Sequence, residues 1–241
     1  YVTWDDSPEQ LAAKLTAAGL NVEGLEEFKQ TFPDVVVARV VHREPHPDAD
    51  RLSLCRVDDG SGAPVQVVCG APNVREGLTV LFARTGAVLP GNFKIKKSKI
   101  RGVESFGMCC SARELGLSDD HAGLMELPGD APIGQDFIEW LKLDDAAIDL
   151  ELTPNRADCL GIKGLARDVA AITSTTSTPL SIEAVSAESD ERLPIDLAAP
   201  EDCPRYVGRV IRGIDPTAPS PLWMQEKLRR SGIRSISAVV D

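Results

Sequence analysis

The spacing of hydrophobic positions near the start of the chain predicts an amphipathic helix over residues 7–19. Leu11, Leu15 and Ala18 recur at i, i+4 and i+7, which places them on one helix face. Ser7 and Gln10 have the spacing of a capping box, in which each side chain bonds the backbone of the other residue. We interpret this stripe as a core-facing helix rather than as a binding surface.

From Asp34 onward the apolar positions follow the period of strands. Turn residues, such as those of the hairpin turn at residues 58–62, separate short runs rich in β-branched residues. These runs are residues 35–41, 52–57, 65–68 and 78–83. Several short strands with frequent turns predict a small β-barrel. A short helix is predicted over residues 111–116.

Beyond Thr153 the pattern becomes helical again. The second apolar stripe consists of Ile162, Leu165, Ala166, Val169 and Ile172. We expect Asp158 to cap this helix, Arg156 to anchor the preceding turn to a neighbouring element, and Gly161 and Gly164 to allow close packing.

The last part of the chain predicts a further unit. Residues 181–203 are acidic and are interpreted as a connector or an edge strand. A strand is expected over residues 206–211. A helix follows, which we expect Ser220 to cap and Gly232 to end.

The chain has a net charge of −11, but the charge is unevenly distributed. Residues 118–150 contain nine acidic residues and one basic residue, and residues 181–202 contain seven and one. By contrast, residues 94–101, here called the basic segment, contain no acid and five bases: Lys94, Lys96, Lys97, Lys99 and Arg101. The acidic total argues against general nucleic-acid binding, whereas a dense basic patch attracts phosphates over roughly one Debye length, ~10 Å.

The sequence contains no convincing catalytic or metal site. It has no glycine-rich phosphate loop and no serine or cysteine accompanied by a base. His42 and His46 are four residues apart, yet Pro45 and Pro47 break any helix that would align their rings, so a surface turn is preferred to a metal site. The six cysteines form no C-x-x-C pair and are interpreted as reduced, mostly buried thiols of a cytosolic protein. No apolar run is long enough to span a membrane.

One short motif in the basic segment points to a different class of enzyme. The sequence KIKKS at residues 94–98 resembles the K-M-S-K-S loop of class I aminoacyl-tRNA synthetases. That loop works beside a Rossmann nucleotide site and an H-x-G-H element, which this sequence lacks. We therefore reject that interpretation, because a short motif without its structural context is weak.

A longer set of motifs is far more specific. HPDADRL at 46–52, VCGAPNVREG at 68–77, GAVLPG at 86–91 and KIKKSKIRGVESFGM at 94–108 resemble the tRNA-binding OB domain of several tRNA-related proteins. The flanking motifs resemble the β chain of bacterial phenylalanyl-tRNA synthetases in particular. They are SARELGLSDDHAGLMELP at 111–128, LTPNRADCLG at 152–161, PRYVGRVI at 204–211 and SPLWMQEKLRRSGIRSISAVVD at 220–241. The chain is therefore interpreted as an N-terminal fragment of such a subunit.

This resemblance implies a multidomain α+β fold in which the OB-fold β-barrel is inserted into a small α/β domain. Residues 1–33 and 148–199 would form the two parts of the discontinuous domain, the latter with a connector. Residues 34–147 would form the tRNA-binding OB domain. Residues 200–241 would begin a third, editing-type domain.

The resemblance also implies the partners and cofactors. The complete enzyme attaches phenylalanine to its tRNA with ATP and magnesium, assembles with an α subunit as α2β2 and is cytoplasmic. In this fragment we expect tRNA binding, no catalytic residue, no metal site and no cofactor of its own. The expected tRNA-binding residues are Lys94, Lys96, Lys97, Lys99, Arg101, Arg51, Asn73, Arg84 and Ser111.

Two alternatives to tRNA binding stay open at this point. The β-barrel could act mainly as an assembly module that supports the β subunit against its α partner, a role that needs no basic segment. A free-standing tRNA-binding protein is a further possibility, although the long extension past Asp149 argues against it. Stacking of RNA bases would require an aromatic side chain that is free to contact them. The barrel region contains only Phe82, Phe93 and Phe106, and a phenylalanine there is more often part of a core.

Overall fold

The strand-like stretch of the sequence forms a curled antiparallel sheet in the computed structural model, which describes residues 1–28, 32–118 and 121–241. The strands are β1 (Asn21–Phe28), β2 (Val35–His46), β3 (Ala49–Asp58), β4 (Val65–Cys69), β5 (Thr79–Arg84), β6 (Val88–Leu89), β7 (Phe93–Lys94), β8 (Ser98–Ile100), β9 (Val103–Ser105), β10 (Gly107–Cys110) and β11 (Asp145–Glu151). The α-helices are α1 (Pro8–Ala17), α2 (Phe137–Leu141), α3 (Ile162–Ile172) and α4 (Leu222–Arg230). Two 3₁₀ helices cover Pro90–Asn92 and Pro154–Leu160.

The main sheet has five antiparallel strands in the order β10-β5-β2-β3-β4. Alternate residues of a strand point to the same face, so Val36, Ala38 and Val40 of β2 share one face, as do Val80 and Phe82 of β5. These five residues belong to one buried cluster and are at most 3% exposed. The four strand runs predicted between residues 35 and 83 are confirmed as β2, β3, β4 and β5.

Two small ribbons project from the chain between β5 and β10. In the first, β6 pairs with β7, so that Val88 lies opposite Lys94. In the second, β8 pairs with β9, so that Lys99 lies opposite Glu104. The turn of the second ribbon places Arg101 and Gly102 at φ values of 46° and 85°, and positive φ at both central positions is the mark of a type I′ hairpin turn. The basic segment therefore extends from one ribbon into the other.

Contacts divide the described chain into two units, residues 26–147 and residues 1–25 with 148–241. We call the first the barrel unit. In the second, Leu11, Leu15 and Leu20 pack with Cys159 and Val169 in a small core. The predicted domain boundaries, including a third domain from residue 200, stay predictions.

The helix predicted at residues 7–19 is confirmed as α1, together with its cap. The Ser7 side chain accepts from the Gln10 amide, and the Gln10 side chain accepts from the Ser7 amide at 2.9 Å. The stripe at 162–172 is confirmed as α3. None of the helices in the described part of the chain has the length and apolar character needed to cross a lipid bilayer.

Four expectations about secondary structure and helix caps are wrong. Residues 111–116 form turns rather than a helix, because Gly116 N–H bonds Arg113 O and Leu117 N–H bonds Ala112 O, three and five residues back, rather than the carbonyl four residues back that an α-helix uses. Residues 206–211 form no strand, since no strand among the described residues pairs with them.

The other two concern helix caps. Gly161 rather than Asp158 precedes α3, and the Asp158 carboxylate instead accepts from Arg156. The Ser220 hydroxyl donates to the Asp241 carboxylate and does not cap α4, which begins after Pro221.

Candidate nucleic-acid interface

The basic segment lies on the surface of the barrel unit, anchored by one apolar residue. Ile95 is 5% exposed, and its backbone bonds the preceding loop through Gly86 N–H to Ile95 O at 2.9 Å and Ile95 N–H to Ala87 O at 2.8 Å. The five basic residues of the segment are all exposed. The buried Ile95 and its two backbone bonds therefore fix the backbone of the basic segment, while the charged side chains of the segment are exposed to water.

One of the five charges is already paired. Lys97 Nζ lies 2.8 Å from the Glu104 carboxylate and 4.7 Å from the centroid of the Phe106 ring. Among the described residues, the other four form no ion pair: Lys94, Lys96, Lys99 and Arg101. Unpaired exposed cations are available to phosphate groups, so these four form the cationic part of the candidate interface.

A groove of about 950 Å³ runs along the same part of the barrel unit. Phe93, Lys94 and Lys96 line it from the first ribbon and the basic segment. Residues 68–72 and 105–114 supply further parts of its lining. The groove brings two unpaired lysines together with an exposed aromatic ring and the surface of the sheet.

Ser111 lines this groove, but its polar groups are engaged. Its hydroxyl lies 2.9 Å from the Glu114 carboxylate, and its backbone N–H donates to the same carboxylate at 2.6 Å. Ser111 is 8% exposed. Its position fits the predicted site, while its hydrogen bonds hold the turn that follows β10.

Arg84 serves a different purpose in the structure. Its guanidinium donates to the Asp59 carboxylate at 2.7 Å and to the Asp59 carbonyl at 2.7 Å. Burial alone would raise the pKa of Asp59, but hydrogen bonds from Ser61 and Arg84 outweigh it and hold that pKa below its ordinary value. We call this pair the Asp59–Arg84 clip.

Asn73 closes a loop in the same way. Its side-chain oxygen accepts from the Leu124 amide at 2.8 Å, and its nitrogen donates to the Leu124 carbonyl at 2.9 Å and to Glu126 at 3.1 Å. Gly123 is required beside it, because an added Cβ would lie 2.4 Å from the Asn73 side-chain oxygen.

Arg51 is exposed on β3 and does not line the groove. Binding of tRNA by Arg51, Asn73, Arg84 and Ser111 stays a prediction.

The three phenylalanines of the barrel region differ in their surroundings. Phe82 is fully buried, and its ring occupies the space that a Cβ on Gly107 would need. Phe106 is partly buried beneath Lys97. Phe93 is 57% exposed and lines the groove. Alternation predicts that Phe93 shares a face with the buried Ile95, so the exposure of the Phe93 ring could not be predicted from the sequence.

The groups of His42, His46 and one cluster of the second unit that could bind a metal already contact other groups in the described part of the chain. His42 is exposed beside Glu44 and Glu76, whereas the two ring nitrogens of the buried His46 bond the backbone of Asp48 and Ile100. In the second unit, the ligand atoms of Asp158, Cys159 and Asp168 lie within 4.8 Å of one another. The Arg156 guanidinium bonds all three side chains and supplies the positive charge itself.

This Arg156 cluster confirms the anchoring role that the sequence predicted. Hydrogen bonds from Arg156 lower the pKa of the Asp158 carboxyl, and its bond to Asp168 ties the 3₁₀ helix to α3. Gly164 lies so close that an added Cβ would meet the Asp158 carbonyl oxygen at 1.7 Å. The close packing expected at Gly164 is therefore confirmed, whereas that expected at Gly161 is wrong, because a Cβ added there would have nothing within 4 Å.

The cysteines behave as predicted. All six are free thiols, and five are buried while Cys203 is exposed. Burial raises the pKa of Cys55 to about 11 and that of Cys110 to about 12. Thiols this weakly acidic are poor nucleophiles, which fits packing rather than catalysis.

Comparisons with known proteins agree with the resemblance found in the sequence. Residues 35–136 match the family described as "putative tRNA binding domain", and residues 202–241 match the B3/4 domain. The chain is 55% identical over 231 residues to the phenylalanine–tRNA ligase beta subunit of Methylococcus capsulatus, covering 96% of this chain and 29% of that protein. It is 52% identical over 241 residues to the corresponding subunit of Idiomarina loihiensis, covering 100% of this chain and 30% of that protein.

The chain thus spans about 30% of the length of the curated relatives that it matches. Among solved structures, a MetRS-related protein from Pyrococcus horikoshii is 22% identical, with a TM-score of 0.31, over 42% of this chain and 84% of that one. A TM-score this low does not define a shared fold. The predicted similarity to phenylalanyl-tRNA synthetase β chains is confirmed by the two sequence relatives.

Proposed function

We propose that this chain is the tRNA-binding part of a phenylalanine–tRNA ligase β subunit and that it holds tRNA through the basic segment. The observation that carries the proposal is the group of four unpaired exposed cations beside an open groove, on the segment that matches the tRNA-binding family. Contacts of this kind position an RNA through its phosphates without reading its sequence.

The same relatives support a proposal about the domains, partners and cofactors of the complete protein. We propose that the curled sheet is an OB fold inserted into the domain formed by residues 1–33 and 148–199, and that residues 200–241 begin an editing-type domain. The complete protein would assemble with an α subunit in the cytoplasm and use ATP and magnesium there. Similarity to named β subunits and to the B3/4 domain supports this setting.

The competing function is an assembly module with little RNA contact. The Asp59–Arg84 clip and the Asn73 loop closure favour it, because side chains expected to bind tRNA instead hold the barrel unit together. The basic segment favours RNA, because Lys94, Lys96 and Lys99 contribute no ion pair to the described structure. The two functions therefore differ in what removal of these three lysines should do.

The test compares two variants of the 241-residue chain that lose the same charge. One carries Lys94, Lys96 and Lys99 changed to Ala, and the control carries Lys14, Lys163 and Lys227 changed to Ala. Binding of tRNA is measured over a series of salt concentrations. We expect the first variant to lose about 10- to 100-fold in affinity at low salt and the slope of log K against log salt to fall by about 2–3.

The control should keep both the affinity and the slope within about twofold, since its lysines lie in the second unit. Equal tRNA binding by both variants, or no binding by the unaltered chain at low salt, would contradict the proposal and favour the assembly function.

A further inference from the structure

Among the described residues of the barrel unit, Phe93 is the one exposed Phe, Tyr or Trp, and it lines the groove together with Lys94 and Lys96. We propose that the groove is a subsite for an unpaired RNA nucleotide, whose base stacks on Phe93 and whose phosphate contacts Lys94 and Lys96. This inference rests on the proposed function and adds the kind of RNA element that the site takes.

Phe93 contributes little to holding its own ribbon together. Leu89 and Ile95 are 3% and 5% exposed and supply the apolar contacts on either side of it, and the Ile95 backbone bonds the preceding loop. The Phe93 ring remains 57% exposed. A single exposed apolar residue needs no special explanation, but here it coincides with a groove and with unpaired cations. That combination is what a stacking platform beside a nucleic-acid backbone requires.

The charges along the groove indicate where a phosphate would lie. Lys94, Lys96 and Arg113 line it and carry no ion pair among the described residues, and the two lysines are the cations nearest to Phe93 in the sequence. Glu114 also lines it, but its carboxylate already accepts hydrogen bonds from the Ser111 amide and hydroxyl. A phosphate is therefore attracted to the lysines, which follow Phe93 by one and three residues along the chain. A nucleotide bound at the lysines has its base within reach of the ring.

The size of the groove favours an unpaired nucleotide over a double helix. Its volume of about 950 Å³ falls within the roughly 300–1,000 Å³ typical of sites that enclose small-molecule-sized ligands. The bases of an RNA duplex are stacked inside the helix, whereas those of loops and ends can be splayed out onto an aromatic side chain. The groove thus suits a loop or an end of a tRNA.

Two of the three serines that line the groove, Ser105 and Ser111, have hydroxyls that already bond the protein. The Ser105 hydroxyl accepts from Val68 N–H at 3.1 Å and donates to Gly107 O at 3.3 Å. The Ser111 hydroxyl is occupied by Glu114. Both hydroxyls are therefore engaged with the protein, while stacking is open to every base. We expect tolerance of base identity at this subsite.

The experiment uses Phe93→Leu, which keeps an apolar side chain but removes the ring, and Phe93→Tyr, which keeps the ring. The probes are a single-stranded oligoribonucleotide and an RNA duplex of the same length, with the 241-residue chain as the protein. We expect Phe93→Leu to bind the single strand about tenfold more weakly with an unchanged salt slope, and Phe93→Tyr to bind it as the unaltered chain does. Duplex binding should be the same for all three.

A direct readout locates the base. A single strand carrying 5-iodouridine is irradiated with the protein, and the adduct is mapped by mass spectrometry, with Phe93 as the expected position. Equal single-strand binding by Phe93→Leu and the unaltered chain, or an adduct confined to residues outside the groove, would overturn the subsite. Because Phe93 is mostly exposed, thermal unfolding should be unchanged in both variants, which separates lost stacking from lost folding.

The three-lysine variant distinguishes failure of the subsite from failure of the proposed function. If that variant loses affinity and salt slope while Phe93→Leu binds normally, only the stacking subsite is wrong. If the unaltered chain binds neither the single strand nor tRNA at low salt, the proposed function and the subsite are both wrong.

Discussion

The basic segment and the Asp59–Arg84 clip are both cationic features of the barrel unit, but they differ in how much of their charge reaches water. In the clip, the Asp59 side chain is 4% exposed and the Arg84 side chain 33%, and two hydrogen bonds of 2.7 Å join them. In the basic segment, four cations are exposed and unpaired among the described residues. The difference indicates that Arg84 holds the fold through its partner, whereas the exposed cations are available to a ligand.

Removal of a charge should affect folding stability in the clip and phosphate binding in the basic segment. Removal of one member of a buried pair leaves a charge without a partner in a medium that solvates it poorly. Removal of an exposed cation changes folding stability little, but it weakens the attraction of a phosphate that arrives from solution. The two regions can therefore be separated by measuring stability and RNA affinity on the same variants.

The largest effect on stability is expected from Arg84→Met, which leaves the buried Asp59 carboxylate without its cation. We expect the free energy of unfolding to fall by about 3 kcal/mol, as measured by urea denaturation. Arg56→Met is the matched control, because Arg56 is exposed on β3, and it should change stability by less than about 0.5 kcal/mol. Similar losses of stability from Arg84→Met and Arg56→Met would contradict the distinction between the arginine of the clip and an exposed arginine.

The clip also predicts a dependence on pH. The pKa of Asp59 is lowered in the folded chain, so its contribution to stability is present above its ordinary pKa of 3.8 and is lost as pH falls through the folded value. Asp59→Asn should therefore flatten the fall in stability below about pH 4 relative to the unaltered chain. The basic segment contains no acid and should leave this part of the curve unchanged.

A smaller effect is expected at Asn73, which joins its loop to residues 124–126 by three hydrogen bonds. Asn73→Ala should cost about 2 kcal/mol in urea denaturation, because the bonds to the Leu124 backbone are lost. Arg75 contacts the same Glu126 from an exposed position and lowers the pKa of that carboxyl. Arg75→Ala should cost less than Asn73→Ala, because both partners of its ion pair are exposed to water and salt. A larger loss from Arg75→Ala than from Asn73→Ala would contradict this ranking.

The strands and helices with strong periodicity could be predicted from the sequence. The cap of α1, the four strand runs and the stripe of α3 follow from residues that are near neighbours in the chain. The expected strand at 206–211 failed for the opposite reason, since a strand needs a partner and local pattern does not supply one. A run of suitable residues was necessary there but not sufficient.

For the candidate site as well, the sequence predicts only the features that neighbouring residues determine. Five basic residues in a row of eight could be found from the sequence, because their charges are adjacent. The partners of Arg84 and Asn73 lie 25 and 51 residues away, so their structural roles depend on the three-dimensional fold. The exposure of Phe93 depends on where β7 ends, which alternation does not reveal.

The smallest effect is expected at His46, which links the framework of the barrel unit to the basic segment. The Asp48 amide donates to His46 Nδ1 at 3.1 Å, so Nδ1 is unprotonated, and Nε2 donates to the Ile100 carbonyl at 3.2 Å. His46→Asn can keep the bond from Asp48 but cannot reach Ile100, whereas His46→Gln can reach Ile100. Each variant loses one hydrogen bond and should lose about 1 kcal/mol of stability in urea denaturation.

Binding of tRNA should nevertheless distinguish the two His46 variants. Ile100 is the last residue of β8 and directly precedes Arg101, so loss of its bond to His46 frees the end of the basic segment. We expect His46→Asn to weaken tRNA binding by about two- to fivefold and His46→Gln to leave it unchanged, since a flexible segment pays more entropy on binding. If both variants weaken binding equally, the effect comes from general destabilisation, and the basic segment binds independently of the framework beneath it.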